Sequence, residues 1–286
     1  MKHLLALLLA LPLLATSPAR AAGPRVVALS WEAAEYLLNI GVTPLAVADR
    51  TDYRQWVIEP ALSASVLDAG SRLEPNLERL HALKPDLIVI NPMLASMQAN
   101  LQRIAPTLML DAYRKDHDNT AAAERLQRQL ALQLGKLAEH EAFLQRQAAQ
   151  TAALRQQLAA HFGTAQPAVC VVRFASPTSY WVYGTNSQPD AALRSLGLRN
   201  ACPDSDTSAW GTRVRKLPDL LRLQAAVLVH IAPFSRQAEL ERSPLWQALP
   251  AVRQRQVLAL APVWTNGGLA SQGRLEILLT QAFSRQ

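Results

Sequence analysis

Long apolar runs, cysteines and clustered metal-binding side chains are all scarce in this chain of 286 residues. Beyond residues 4–15, no segment approaches the ~20 consecutive apolar residues that a membrane-spanning helix needs. Only two cysteines occur, Cys170 and Cys202, and neither follows the small residues near the N-terminus, so a lipoprotein anchor is not expected. The histidines His81, His117, His140, His161 and His230 are scattered without an H-x-H or metal-binding His–Glu spacing. That argues against a resident metal or haem, which needs converging side-chain ligands. There is no G-x-S-x-G elbow, no P-loop and no G-x-G-x-x-G, and Gly267-Gly268 is too loose a signal for a phosphate loop. Aromatics make up 6% of the chain. The excess of 29 basic over 22 acidic residues is spread along helical segments (Arg125, Arg128, Lys136, Arg146, Arg155) among Gln and Glu. A nucleic-acid surface would cluster such charges with aromatics, so these read as solvated helix faces.

What is present begins with Met1-Lys2-His3, the apolar residues 4–15 and Ala19-Arg20-Ala21. This is a basic start, a short apolar core and an A-x-A site, so residues 1–21 are expected to be a cleaved secretory signal and the mature protein to be periplasmic. Cleavage leaves about 265 residues, enough for one large or two medium domains. Loss of Lys2 and Arg20 lowers the formal charge from +7 to +5. An oxidising compartment permits a Cys170–Cys202 disulfide, but the spacing fixes no geometry and the pairing stays open.

The mature chain alternates strand and helix. Residues 26–29 and 44–48 read as strands flanking a helix over 31–40 that Gly41 closes. Helix, strand, helix and strand follow at 77–83, 87–90, 97–104 and 108–110. Residues 120–162 change character: Ala, Leu, Gln, Arg and Glu dominate, with a break at Gly135, as expected of long helices. Alternation resumes with strands at 169–172, 181–183, 227–231 and 256–260, and helices at 191–196, 217–223, 245–249 and 273–283. The pattern implies two doubly wound α/β lobes joined by one long helix. The expected division is an N-terminal lobe over 22–135, a linking helix over 136–162 and a C-terminal lobe over 163–286. A single stiff connection predicts a small opening motion.

The stretch from Gly70 to Ile90 is the most informative. It reads as a loop holding Arg72, a helix striped by Leu77, Leu80 and Leu83 with Pro75 near its start, and the apolar strand 87–90. Loops at the carboxyl ends of such strands bind ligands in open α/β sheets. Arg72, a fixed cation with five donors in such a loop, is therefore a candidate ligand anchor, with Glu74 or Asp68 as possible structural partners. Trp246, between Leu245 and Leu249, reads as core. Tyr180 and Tyr183 alternate along one strand, so at most one of them faces a ligand.

Several segments then carry a resemblance. They are Arg25-Val-Val-Ala-Leu-Ser-Trp31, Gly41-Val-Thr-Pro-Leu-Ala-Val-Ala-Asp49, Tyr53-Arg-Gln-Trp56, Arg72-Leu-Glu-Pro-Asn-Leu-Glu78, Lys84-Pro85-Asp86, Arg103-Ile-Ala-Pro106, Ala209-Trp-Gly211, Ser243-Pro-Leu-Trp-Gln-Ala-Leu-Pro250 and Pro262-Val-Trp264. Colinear over essentially the whole mature chain, they resemble the class III periplasmic binding proteins of bacterial ABC importers, which serve iron–siderophores, haem and cobalamin. The ferric hydroxamate branch is the most similar. The resemblance implies a ferric siderophore as ligand, an inner-membrane permease as partner, a monomer and no resident cofactor. It also implies that Arg72 meets the hydroxamate oxygens, with Trp31, Trp56, Trp210 and Trp264 lining or supporting the cleft. Tyr180 and Trp181 would add apolar contacts from the second lobe. Such a ligand brings its iron fully coordinated, so the protein supplies shape, aromatic surface of ~150–250 Å² per ring and one or two cations.

Two departures from the family pattern stand out. Leu94 occupies the place of a ligand-contacting tyrosine, and Thr265-Asn266 replaces an aromatic pair after Trp264. With Arg173 and Arg213 as extra cations, a carboxylate or citrate-type siderophore ranks second to a hydroxamate, followed by haem or cobalamin. The resemblance further implies permease docking through one acid per lobe: Glu78, with Glu74 as neighbour, and Asp219, since Pro218 holds the expected place. The alternative from another class is a periplasmic hydrolase using Asp49 or Asp68 with a histidine.

Overall fold

The computed structural model describes residues 23–285, so the expected signal segment, residues 1–21, lies outside the described residues. The first half runs β1 (Val26–Ala28), α1 (Trp31–Asn39), β2 (Ala46–Val47), α2 (Arg50–Trp56), β3 (Leu67–Asp68), α3 (Leu77–Leu83), β4 (Leu87–Ile90), a 3-10 turn over Pro92–Met97, α4 (Gln98–Gln102) and β5 (Thr107–Met109). Its strands form a sheet in the order β3-β2-β1-β4-β5, every pair parallel. β1 and β4 are buried throughout, as their unbroken apolar runs require of strands covered on both faces.

Caps fix the helices that frame the ligand end of this sheet. The Ser30 hydroxyl accepts from Ala33 N at the start of α1, and Asn76 accepts from Arg79 N at 2.9 Å at the start of α3. Pro75 thus lies just outside α3, not in its first turn, and bridges back to Gly70. Gly70 has φ +91°, and a Cβ there would meet Asn76 N at 2.8 Å. The turn that carries Arg72 therefore needs glycine.

Two helices, α5 (Asn119–Gln133) and α6 (Leu137–Phe162), lead to the second half. At 1.5 Å per residue, α6 is ~39 Å long. Phe143 and Leu144 near its start pack on the first lobe's core, and Leu154, Leu158 and Phe162 near its end pack on the second's. The second half runs β6 (Ala168–Ser176), β7 (Ser179–Tyr183), α7 (Gln188–Ser195), β8 (Arg199–Asn200), β9 (Thr212–Lys216), a 3-10 turn over Leu217–Arg222, β10 (Ala226–Ile231), α8 (Gln237–Arg242), α9 (Pro244–Ala248), α10 (Pro250–Arg253), β11 (Val257–Leu260) and α11 (Leu269–Phe283).

This second sheet, ordered β11-β10-β6-β7-β9 with β8 beside the start of β6, does not simply repeat the first. β11, β10, β6 and β8 are parallel, but β7 runs antiparallel to both β6 and β9. The short link from Ser176 to Ser179 explains the change, since only an antiparallel partner can follow so tight a turn. A disulfide joins Cys170 on β6 to Cys202, with the Cα atoms 5.3 Å apart, which answers the pairing question. Trp246 is buried in the same core, as expected.

The last helix ties the lobes together. Leu269 at its start belongs to the first lobe's core, whereas Leu275, Leu279 and Phe283 belong to the second's. Gln147 Nε2 and Thr151 Oγ1 on α6 donate to Leu269 O (2.7 Å) and Glu276 Oε2 (2.6 Å) on α11.

Candidate functional site

Arg72 leaves the carboxyl end of β3 and is held from two sides. Its Nε donates to Asp49 Oδ2 at 2.9 Å, and its backbone N–H to the same oxygen at 3.2 Å. Its Cζ lies 3.5 Å from the centroid of the Trp31 ring and 5.5 Å from that of Trp264. Asp49 precedes α2 with φ 48° and makes no side-chain cap for that helix, so its carboxylate is free to hold the arginine. Neither Glu74 nor Asp68 is the partner; Asp68 instead meets Arg79, at 3.5 Å. Among the described residues no acceptor takes a bond from Arg72 Nη1 or Nη2.

Those donors face a cleft of about 660 Å³ between the lobes. From the first lobe come Arg72, Asp49, Glu32, Leu73, Met93, Asp111 and Tyr113; from the second come Trp210, Trp264 and Asn266. Leu73 is 65% exposed, Met93 55% and Trp210 39%, so the rim offers apolar surface that solvent does not hold back from a ligand. Glu32 is buried, and Asn91 Nδ2 donates to its Oε1 at 2.8 Å. Burial raises the Glu32 pKa, opposed by that Asn91 bond.

The other expected site residues divide. Arg72, Trp210 and Trp264 line the cleft. Trp31 is 2% exposed, bonds Ala48 O through Nε1 and contacts Trp264 at 4.6 Å between centroids, so it supports Arg72 from behind without forming the cleft wall. Trp56 packs on the first core with Arg173 5.9 Å from its ring, and is not a lining residue. Leu94 is fully buried among Leu80, Ile90 and Leu101, because the 3-10 turn points it inward and turns Met93 outward. Tyr180 is buried with Phe174 and Val182 in the second core, since strand alternation sends it to the covered face. Trp181, on the opposite face beside Arg173, is exposed but outside the cleft lining. Tyr183 is buried too, its hydroxyl against Thr265 Oγ1.

Among the acids, Glu78 and Glu74 are exposed around α3. Asp219 is half-buried and accepts from Lys216 N at 3.3 Å at the start of its 3-10 turn, a local capping role that competes with docking. The two extra cations are engaged elsewhere. Arg213 binds Asp206, and Arg173 donates to Val263 O at 2.9 Å. Among the described residues no histidine lines the cleft, and Asp49 and Asp68 pair with arginines, so the hydrolase pairing does not assemble there. Among the described residues no three His, Cys, Asp or Glu side chains converge as a metal site.

Sequence reasoning missed Glu32, Leu73, Met93, Asp111 and Tyr113 as cleft residues, and read Asp49 only as a catalytic alternative. An Asp just before a helix signals a cap, and nothing local reveals that its partner lies 23 residues on. Also missed was the seam beneath the cleft. Glu35 on α1 accepts from Gly268 N and Ser271 N (both 3.0 Å) and from Ser271 Oγ (2.6 Å), so a first-lobe carboxylate caps α11. A Cβ on Gly267 would come within 2.2 Å of Glu35 Oε1, so the lobes meet over bare backbone there. Burial lifts the Glu35 pKa to about 7 against the pull of these donors. Beside it the Tyr113 hydroxyl donates to Gly267 O, and Asn119 Nδ2 donates to Asn186 O (2.9 Å) and Ala209 O (2.8 Å).

Comparison with known proteins agrees with this geometry. The profile of the family described as "Periplasmic binding protein" matches residues 26–263. The iron(3+)-hydroxamate-binding protein FhuD of Escherichia coli (strain K12) is 32% identical over 271 residues, 90% of this chain and 86% of its own length. The Fe(3+)-citrate-binding protein YfmC of Bacillus subtilis (strain 168) is 28% identical, covering 85% of this chain and 75% of that protein. The crystal structure of the Fe3+–Desferal-bound siderophore-binding protein FhuD from Vibrio cholerae superposes with a TM-score of 0.88 at 34% identity, covering 92% of this chain and 98% of that one. With two α/β lobes, a long joining helix and a ligand-sized cleft between them, this chain belongs to the periplasmic binding protein family.

Proposed function

We propose that this protein is the periplasmic solute-binding component of an ABC importer, capturing a ferric hydroxamate siderophore and delivering it to an inner-membrane permease. The observation that carries the reading is the Arg72 guanidinium. Trp31 and Asp49 fix its plane, while both terminal nitrogens stay free to donate into an aromatic- and methionine-rimmed cleft. Two such donors side by side match the paired oxygens of an iron hydroxamate. The cleft is of a size for a compact chelate. Kinship with proteins named for hydroxamate binding supports the same ligand class.

Ferric iron is cargo in this reading. It arrives coordinated, and the protein acts as a binder without a resident metal or cofactor and without catalysis. The ferric citrate reading has less support, because Arg213 and Arg173, the cations it needed, hold Asp206 and Val263 instead of lining the cleft. Secretion by a signal cleaved after residue 21, a monomeric mature protein, lobes divided by α6 and docking of Glu78 on the permease complete the proposal.

The test is a tryptophan-fluorescence panel on the mature protein with ferric hydroxamate, ferric citrate and ferric catecholate complexes, haem and cobalamin. Quenching at the lowest concentration by a hydroxamate, with the ligand recovered intact by mass spectrometry, is the expected result. Preference for another class, or a chemically altered ligand, would overturn it.

A further inference from the structure

The cleft lining holds more carboxyl groups than cations. Three carboxyl groups, Glu32, Asp49 and Asp111, share its lining with a single guanidinium, Arg72. They are committed to different degrees. Asp49 is bound to Arg72 at 2.9 Å, and buried Glu32 is bound to Asn91 at 2.8 Å. Among the described residues the one cation paired with Asp111 is Arg114, at 3.5 Å, and the Asp111 side chain is 38% exposed. Arg114 itself is turned to Asp116, giving that carboxylate both Nε and Nη2. Asp111 therefore has only a share of Arg114, by a 3.5 Å ion pair, and lines the cleft with a partly exposed carboxylate, while Arg213 and Arg173 are engaged elsewhere.

We propose that the cleft discriminates among ferric hydroxamates by charge, preferring a complex that carries a protonated amine over neutral or anionic chelates, with Asp111 meeting the ammonium. This rests on the hydroxamate reading above and adds to it a second recognition point. Arg72 addresses the iron-bound oxygens, and Asp111 addresses a pendant cation on the same ligand. A polycarboxylate chelate would bring like charge against Asp111, which disfavours it independently of shape.

The experiment compares ferrioxamine B, which ends in a primary amine, with its N-acetylated derivative, which has the same iron centre and no charge on that arm. Both are titrated by tryptophan quenching into the mature protein, Asp111→Asn and Asp111→Glu, at low and high salt. The amine complex should bind about three- to tenfold more tightly than the acetylated one to the unaltered protein, as expected of a partly exposed charged pair. The ratio should fall to near one in Asp111→Asn, persist in Asp111→Glu and shrink as salt rises. Equal affinities in the unaltered protein, or a ratio that survives Asp111→Asn, would overturn the proposal while leaving hydroxamate binding intact. Failure of the unaltered protein to bind either complex would overturn the underlying reading, and the proposal with it.

Discussion

Glu35 offers the sharpest test of how the two lobes are held. Its pKa is raised by burial from 4.5 to about 7, so the folded protein binds a proton there more tightly than the unfolded chain does. Stability from this group is therefore greatest below about pH 4.5. It declines as pH rises toward 7, and above that the ionised carboxylate costs ~3 kcal/mol relative to its protonated form. Glu35→Gln removes the titration but keeps an oxygen that can accept from Gly268 N and Ser271 N, and an amide that can donate to the Ser271 hydroxyl. Urea denaturation of both proteins from pH 4.5 to 8 should show their stability difference shifting in favour of Gln by ~2–3 kcal/mol across that window. Glu32 also has a raised pKa, but it is present in both proteins and largely cancels in the difference. Glu35→Ala leaves two backbone N–H groups and a hydroxyl at the start of α11 without their acceptor, and should cost ~3–5 kcal/mol near pH 4.5, the cost shrinking toward pH 8 as the unaltered protein loses the stability of its protonated Glu35. Parallel curves for the unaltered protein and Glu35→Gln across the window would refute the reasoning.

Three further outcomes follow from the site and the second lobe. Arg72→Ala should weaken binding of the preferred ferric complex by ~1.5–3 kcal/mol, measured by fluorescence titration, because a charged hydrogen bond is lost; unchanged affinity would remove Arg72 as the anchor. Reduction of Cys170–Cys202, which closes a loop of 32 residues, should lower stability by ~3–4 kcal/mol and the thermal midpoint by ~10 °C in calorimetry under reducing conditions. Glu78→Ala should abolish uptake in cells while ligand affinity stays within about threefold, since an exposed residue outside the cleft lining has no part in holding the ligand.

Much of the framework was legible because its signals are local. β1 and β4 are unbroken apolar runs, and residues 120–162 are built from strong helix formers. The loop position of Arg72 followed from Gly70 and the strand after it. Features that depend on phase or distance escaped. β9, Thr-Arg-Val-Arg-Lys, is an edge strand whose charges hide its pattern. Leu94 and Met93 are one residue apart, and only the 3-10 geometry decides which of them reaches the cleft. Tyr180 and Trp181 are likewise one residue apart on β7, and alternation sends them to opposite faces. The bond from Ser271 N to Glu35 spans 236 residues, and neither local sequence hints at the other.

The placement of α11 has a consequence for dissecting the molecule. Its first residue, Leu269, fills space in the core built by residues 26–134, and its amide ends are sealed by a glutamate from α1. A fragment ending after α6 would lack that plug and leave Glu35 facing water. The complementary fragment would begin without a cap for its own closing helix. Helix α11 thus completes the core of the lobe that precedes it in the chain, and neither half is a self-sufficient unit.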